Sequence, residues 1–97
     1  MSIEIVWLPS AVNDLNRLRS FIRSESALAA RRAALRIKEG VSLLQQNPDA
    51  GKPVPDLLSF RDLVLPFGAG EYIVRYRCID PSQIVIVRVR HSRETGF

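Results

Sequence analysis

Apolar and polar residues change rhythm several times along this chain, and each change predicts an element. Ile3-Glu4-Ile5-Val6-Trp7 alternates once and then becomes wholly apolar, which predicts a short strand with Ile3, Ile5 and Trp7 on one face. Leu8-Pro9-Ser10 closes it, and Ser10 is suited to cap a following helix. Ala11, Leu15, Leu18 and Ile22 then recur at steps of four, three and four, while Asn13, Asn16, Arg17 and Ser20 take the opposite side. Asp14 falls in the first turn of this helix, where a carboxylate complements the dipole. The helix is expected to end near Arg23-Ser24, and Ser26 to cap a second one with the stripe Ala30, Ala34, Ile37, Val41 and Leu44. The early alanines let the two helices approach as an antiparallel hairpin. Leu28 and Leu35 are read as widening the apolar surface towards a sheet. Gly40 reads as an interruption costing about 1 kcal/mol relative to alanine, and Asn47-Pro48 as the stop.

From Pro48 to Ser59 three prolines and a glycine predict a surface connector with no element of its own. The rhythm then shortens to two. Between Phe60 and Arg93 three apolar runs are divided by Phe67-Gly68-Ala69-Gly70 and Asp80-Pro81-Ser82, the pattern of a β-meander. In the first run Arg61, Leu63, Leu65 and Phe67 share a face, with Asp62 and Val64 opposite. In the second, Tyr72, Val74, Tyr76 and Cys78 oppose Glu71, Ile73, Arg75 and Arg77. Ile84-Val85-Ile86-Val87 is apolar on both faces and therefore predicts an interior strand, after which Val89 and His91 point one way and Arg88 and Arg90 the other. An interior third strand needs a neighbour beyond the meander, and the N-terminal strand is available. The expected fold is α+β with the order β-α-α-β-β-β. A mainly antiparallel four-stranded sheet, with the N-terminal strand beside the last, carries the helical hairpin on one face.

Composition narrows this picture. A chain of 97 residues, 46% hydrophobic, makes one domain over 1–97 with a modest core. Cys78 and His91 are single, which excludes an internal disulfide and a cysteine- or histidine-rich metal site. Neither a nucleotide-binding glycine motif nor a Ser/His/Asp set is present, so no cofactor and no metal is expected. The start MSIEIVWLPS has no signal-peptide pattern and no run is long enough to span a bilayer, which predicts a cytoplasmic protein without membrane contact. Net charge is +4, carried by twelve arginines and two lysines, Lys38 and Lys52. Such a balance suits an acidic protein or a nucleic acid. Residues 1–60 hold eight basic and six acidic groups, and residues 61–97 six and four, so no basic tail is concentrated at either end.

The candidate chemistry lies in the meander. Arg75 and Arg77, joined by Arg88 and Arg90, read either as a solvated sheet face or as a surface for carboxylates and other anions, with Asp62 and Glu71 as cross-strand partners. His91 followed by Arg93 invites a nuclease reading, histidine for proton transfer and arginine for phosphate, beside a plain structural role at a strand end. Tyr72, Tyr76, Cys78 and Trp7 fall on packing faces. The residues alone describe a small basic α+β binding domain.

Several local sequences, in order, resemble the toxins of the RelE/ParE superfamily of bacterial toxin–antitoxin pairs. They are Trp7-Leu8-Pro9-Ser10-Ala11 with Asp14-Leu15, Ala29-Ala30-Arg31-Arg32, Asn47-Pro48 with Gly51, Arg61-Asp62-Leu63-Val64, Tyr72 to Arg77, and Ile86 to Arg93. The resemblance implies two kinds of action. RelE-like members cleave mRNA on the ribosome, and Arg61, Arg77, His91 and Arg93 would be the corresponding catalytic group. ParE-like members poison DNA gyrase by protein contact. Here the lysine-rich loop is reduced to Lys52, and Phe97 stands where a tyrosine hydroxyl would serve cleavage, so the ParE-like reading is favoured. Arg61, Arg75, Arg77, Arg88, Arg90 and Arg93 then become the docking surface. Either way the resemblance implies an acidic antitoxin that forms a hetero-oligomer with the toxin. A module that keeps the fold without toxicity is the remaining alternative.

Overall fold

The computed structural model describes residues 3–94 and 96–97. Its first strand, β1 (Glu4–Trp7), leads directly into helix α1 (Pro9–Arg23), and α1 into helix α2 (Ala27–Ser42) with a short 3-10 turn at Leu43–Gln45. Strands β2 (Lys52–Pro53), β3 (Phe60–Phe67), β4 (Gly70–Asp80) and β5 (Gln83–His91) follow. The sheet runs in the order β1-β5-β4-β3-β2. The meander and the place of the N-terminal strand match the sequence expectation. The direction of β1 was open in the sequence, and it proves parallel to β5, with Glu4 opposite Gln83 and Trp7 opposite Ile86.

The fifth strand is a correction. Lys52 and Pro53 pair with Asp62 and Arg61 inside the segment expected to hold no element. A two-residue strand carries no periodicity, and proline is acceptable at a sheet edge because its missing N–H faces away from the ladder. The start of α1 also differs. Pro9 is its first residue, and Leu8 occupies the N-cap without a side-chain capping hydrogen bond. Proline there supplies a helical φ and lacks an N–H that would go unpaired. The Ser10 hydroxyl instead donates to the Val87 carbonyl at 2.7 Å. Ser26 caps α2 as expected, accepting from the Ala29 N–H at 3.1 Å.

The core lies between the hairpin and one sheet face. Ala11 and Leu18 of α1, with Ala33, Ile37, Val41 and Leu44, pack on Leu65, Tyr72, Val74, Tyr76, Ile84, Ile86 and Val89. Leu28 and Leu35 do not join it and are 51% and 56% exposed. At 3.6 residues per turn both lie roughly 180–200° around α2 from Ile37, so the sheet-facing stripe leaves them outside. Gly40 is more than an interruption. It is buried, and a Cβ there would collide with the Leu65 side chain, so α2 crosses β3 only where no side chain intervenes.

A bulge in β5 sets which residues reach the core. Arg75 pairs with Arg88 but Tyr76 with Ile86, leaving Val87 as the extra residue. Ile86 and Val89, three apart, are consequently both buried on the helix side. Tyr76 fastens the long connector to the sheet. Its fully buried ring carries a hydroxyl that donates to the Pro48 carbonyl at 2.7 Å and accepts from the Gly51 N–H at 2.9 Å. A Cβ on Gly51 would lie 2.7 Å from the Tyr76 ring, so glycine permits that approach. Among the described residues no helix is long and apolar enough to cross a membrane.

Removing the Tyr76 hydroxyl leaves the Gly51 N–H buried without an acceptor. Tyr76→Phe is expected to lower unfolding free energy by about 1–3 kcal/mol, read from urea midpoints at constant slope. An unchanged midpoint would show that the connector is held by other contacts.

Candidate functional site

The candidate surface is organised by a mismatch in strand length. β1 stops at Trp7, while β5 continues to His91. The last backbone bond along that edge runs from the Leu8 N–H to the Ile86 carbonyl at 3.0 Å. Beyond it, α1 supplies side chains in place of a strand. Ser10 donates to the Val87 carbonyl, and one helical turn later the Asp14 carboxylate accepts from the Val89 N–H at 2.9 Å.

Asp14 is only 5% exposed and does not sit in the first turn at the positive end of the helix dipole. It also receives the Arg88 guanidinium as a fork, from Nε at 2.7 Å and Nη2 at 3.2 Å, and an N–H from Arg17 at 3.3 Å. Burial alone pushes its carboxyl pKa up. The hydrogen bonds from Arg88, Val89 and Arg17 outweigh burial and hold it below the ordinary value. Sequence reasoning missed this role, although a signal existed. Asp14 is three residues after Ala11 and four before Leu18, within the buried stripe of α1.

Arg75 and Arg88 face each other across β4 and β5 on the side away from the helices. Their like charges are compensated from opposite sides. The Arg75 fork closes on Asp62, its direct neighbour on β3, with Nε at 2.9 Å and Nη2 at 3.0 Å. That bonding raises the Arg75 pKa above its ordinary value, as Asp14 does for Arg88. Arg90 spends Nη1 on the carbonyls of His91 and Glu94, both at 3.3 Å. The Phe97 ring lies over this group, with its centroid 4.5 Å from the Arg75 guanidinium carbon, 5.2 Å from that of Arg90 and 5.6 Å from that of Arg88.

The other arginines stand elsewhere. Arg77 is exposed on the same face but further along β4, over the Phe60 ring at 5.6 Å. Arg61 is on the core-facing side of β3. There it donates to the Gly51 carbonyl at 2.7 Å and the Asp49 carbonyl at 3.3 Å, with the Asp49 carboxylate at 3.6 Å. His91 packs edge-on against Tyr72, ring centroids 5.3 Å apart, and its Nδ1 accepts from the Arg93 N–H at 3.1 Å. Arg93 is exposed beside a cleft of about 240 Å³ lined by Leu18, Phe21, Phe67, Tyr72 and His91. The structure therefore brings Arg75, Arg88 and Arg90 together, and His91 with Arg93. Arg61 and Arg77 are separate from both groups and from each other. Among the described residues no cluster of histidine, cysteine, aspartate and glutamate is arranged to hold a metal.

Because the folded-state pKa of Asp14 is depressed, its contribution is complete above the unfolded value of about 3.9 and is lost as pH falls through the folded value. Asp14→Asn is expected to destabilise the protein near neutral pH and to flatten its stability loss below about pH 4. Asp14→Ala, which leaves the buried Val89 N–H without an acceptor and frees the half-exposed Arg88 to solvent, is expected to cost about 1–3 kcal/mol. Denaturant titrations across that pH range check both. Parallel wild-type and Asn curves would remove Asp14 as the acid-sensitive group.

Three comparisons bear on this geometry. The model of the family described as ParE toxin of type II toxin-antitoxin system, parDE, matches residues 5–96. Two curated proteins of Caulobacter vibrioides are each 36% identical. Toxin RelE2 aligns over 92% of this chain and 94% of its own length, and Toxin RelE3 over 89% and 90%. A solved structure titled Chromosomal ParDE TA system from P. aeruginosa shares the fold at a TM-score of 0.74 and 24% identity, covering 90% of this chain and 92% of that one. With the family model spanning almost every residue that builds the sheet and hairpin, the chain belongs to the ParE toxin family of type II toxin–antitoxin systems, within the RelE/ParE superfamily.

Proposed function

We propose that this toxin acts by docking on DNA gyrase and is neutralised by a cognate acidic antitoxin in a hetero-oligomeric complex. The antitoxin half follows from membership of a toxin–antitoxin family. The gyrase half is supported by one observation, the dispersal of the residues that RNA cleavage would need.

His91 lies opposite Tyr72 and Arg61 opposite Tyr76, four residues apart along β4. At about 3.3 Å per residue that is roughly 13 Å. Arg77 points to the opposite face, and Arg61 is engaged by the connector carbonyls. General acid–base chemistry on one ribose phosphate needs its groups within hydrogen-bond reach of the same atoms. Phe97 adds no hydroxyl to such a set. Docking needs only surface, and basic surface is plentiful. Besides the sheet arginines, a groove between the helices of about 550 Å³ is lined by Arg19, Arg23 and Arg31, and none of these three meets a carboxylate among the described residues. A positive field of this kind steers an acidic partner and quickens its capture. Both gyrase and the ribosome place the toxin in the cytoplasm.

Purified toxin added to gyrase and supercoiled DNA is expected to block supercoiling or trap cleaved DNA, with relief by the antitoxin. Full gyrase activity at excess toxin defeats the proposal. New message ends in a translating extract, lost on His91→Ala or Arg61→Ala, would establish RNA cleavage instead. Normal growth on induction without antitoxin would identify a non-toxic module.

A further inference from the structure

Three guanidinium groups close on one phenyl ring, which is an unusual occupant for such a place. Arg75 and Arg88 are directly opposed across the sheet, and Arg90, opposite Ile73, follows two residues along β5. Among the described residues two side-chain carboxylates answer them, Asp62 for Arg75 and Asp14 for Arg88. Both arginines present Nε and Nη2 to their partner, leaving Nη1 without a protein acceptor among the described residues. Among the described residues Arg90 meets no side-chain carboxylate, and its Nε is buried with no hydrogen-bond partner there. The spot thus has three cations, two counter-charges and donors left over. A ring face attracts cations but offers N–H donors no lone pair.

We propose that this spot is a binding site for a carboxylate of an acidic peptide, with the Phe97 ring as a displaceable cap. The tail leading to the cap is pinned at Glu94, which pairs with Arg17 and accepts from the His91 N–H at 2.8 Å, and at the Gly96 N–H, which donates to the Glu94 carbonyl at 3.0 Å. Gly96 has φ 58° and nothing near the place of a Cβ, so the backbone can pivot there, and Phe97 is 40% exposed. Carboxylates already take the fork geometry of these arginines, Asp62 from Arg75 and Asp14 from Arg88. The surrounding face favours peptide too. Val64, Ile73 and Val85 lie on it partly exposed, offering contact to apolar side chains and nothing to a phosphodiester chain. This inference extends the antitoxin half of the reading above, and its test uses neither gyrase nor antitoxin, so the two fail separately.

The test is fluorescence anisotropy of the full chain with a dye-labelled octapeptide of alternating glutamate and leucine, beside a dye-labelled octathymidylate. Arg75 and Arg88 are left intact, because replacing either strands a carboxylate. Phe97→Ala is expected to tighten peptide binding roughly fivefold by removing the competing cap. Phe97→Trp, which keeps a larger ring, is expected to bind no tighter than wild type. Arg90→Gln should weaken the peptide about tenfold, while Lys38→Gln, the same loss of charge on α2, stays within about twofold. The site is overturned if Phe97→Ala gains nothing or if Arg90→Gln, folded by circular dichroism, binds like wild type. It is equally overturned if the oligonucleotide binds more tightly with the same dependence on Phe97 and Arg90, which would make it a phosphate site. Should Arg90→Gln fail to fold, the alanine and tryptophan replacements of Phe97 decide alone.

Discussion

The Asp14 carboxylate joins the two layers of this molecule at the point where its sheet would otherwise be left open. β5 is longer than the strand beside it, so its outer edge exposes backbone groups that must find partners. Water could serve an exposed edge, but Val89 is wholly buried. A helix that begins at Pro9 brings Ser10 and Asp14 past that edge one turn apart, and each takes a backbone group a strand would have taken. Closing the edge with a charge brings its own cost, because a buried carboxylate requires a counter-ion. Arg88 supplies it by bending towards the helix.

That pairing shapes the outer face. Arg88 and Arg75 oppose one another, and the pair is tolerable only because each is drawn to a carboxylate on its far side. Positive charge is therefore ordered across two neighbouring strands instead of waving in solvent, and all three guanidinium groups lie within 5.6 Å of the Phe97 ring centroid. A preorganised set of donors loses less entropy on meeting a carboxylate than free surface arginines would. The same ordering separates this face from the single histidine of the chain. Its arginines already serve as structural partners, while the histidine lies on the other side of the sheet, closing the core against Tyr72.

Much of the architecture was legible because period and burial coincide. The strand alternation in Tyr72 to Cys78 and the helical stripe through Ile37 and Val41 gave the right faces, and the doubly apolar Ile84 to Val87 located the interior strand. Errors arose where one residue type serves two purposes. A serine before a helix reads as a cap, yet Ser10 reaches a strand 77 residues away. Leu28 and Leu35 are hydrophobic, but rotation around α2 carries them out to solvent. Gly40 looked like a weak point in a helix, because nothing local reveals that Leu65 will lie against it.

The sequence by itself determined the elements, their order and the faces they bury, since those depend on spacing within a few residues. It also determined the charge available and, through its ordered local motifs, the toxin family. Tertiary structure alone decided the direction of β1, the pairing of Arg75 with Asp62 and of Arg88 with Asp14, and the placing of Phe97 over three arginines. The reason is the range of the forces involved. Periodicity is a property of neighbours along the chain, whereas a buried ion pair between α1 and β5 exists only once folding has brought residues 74 positions apart into contact.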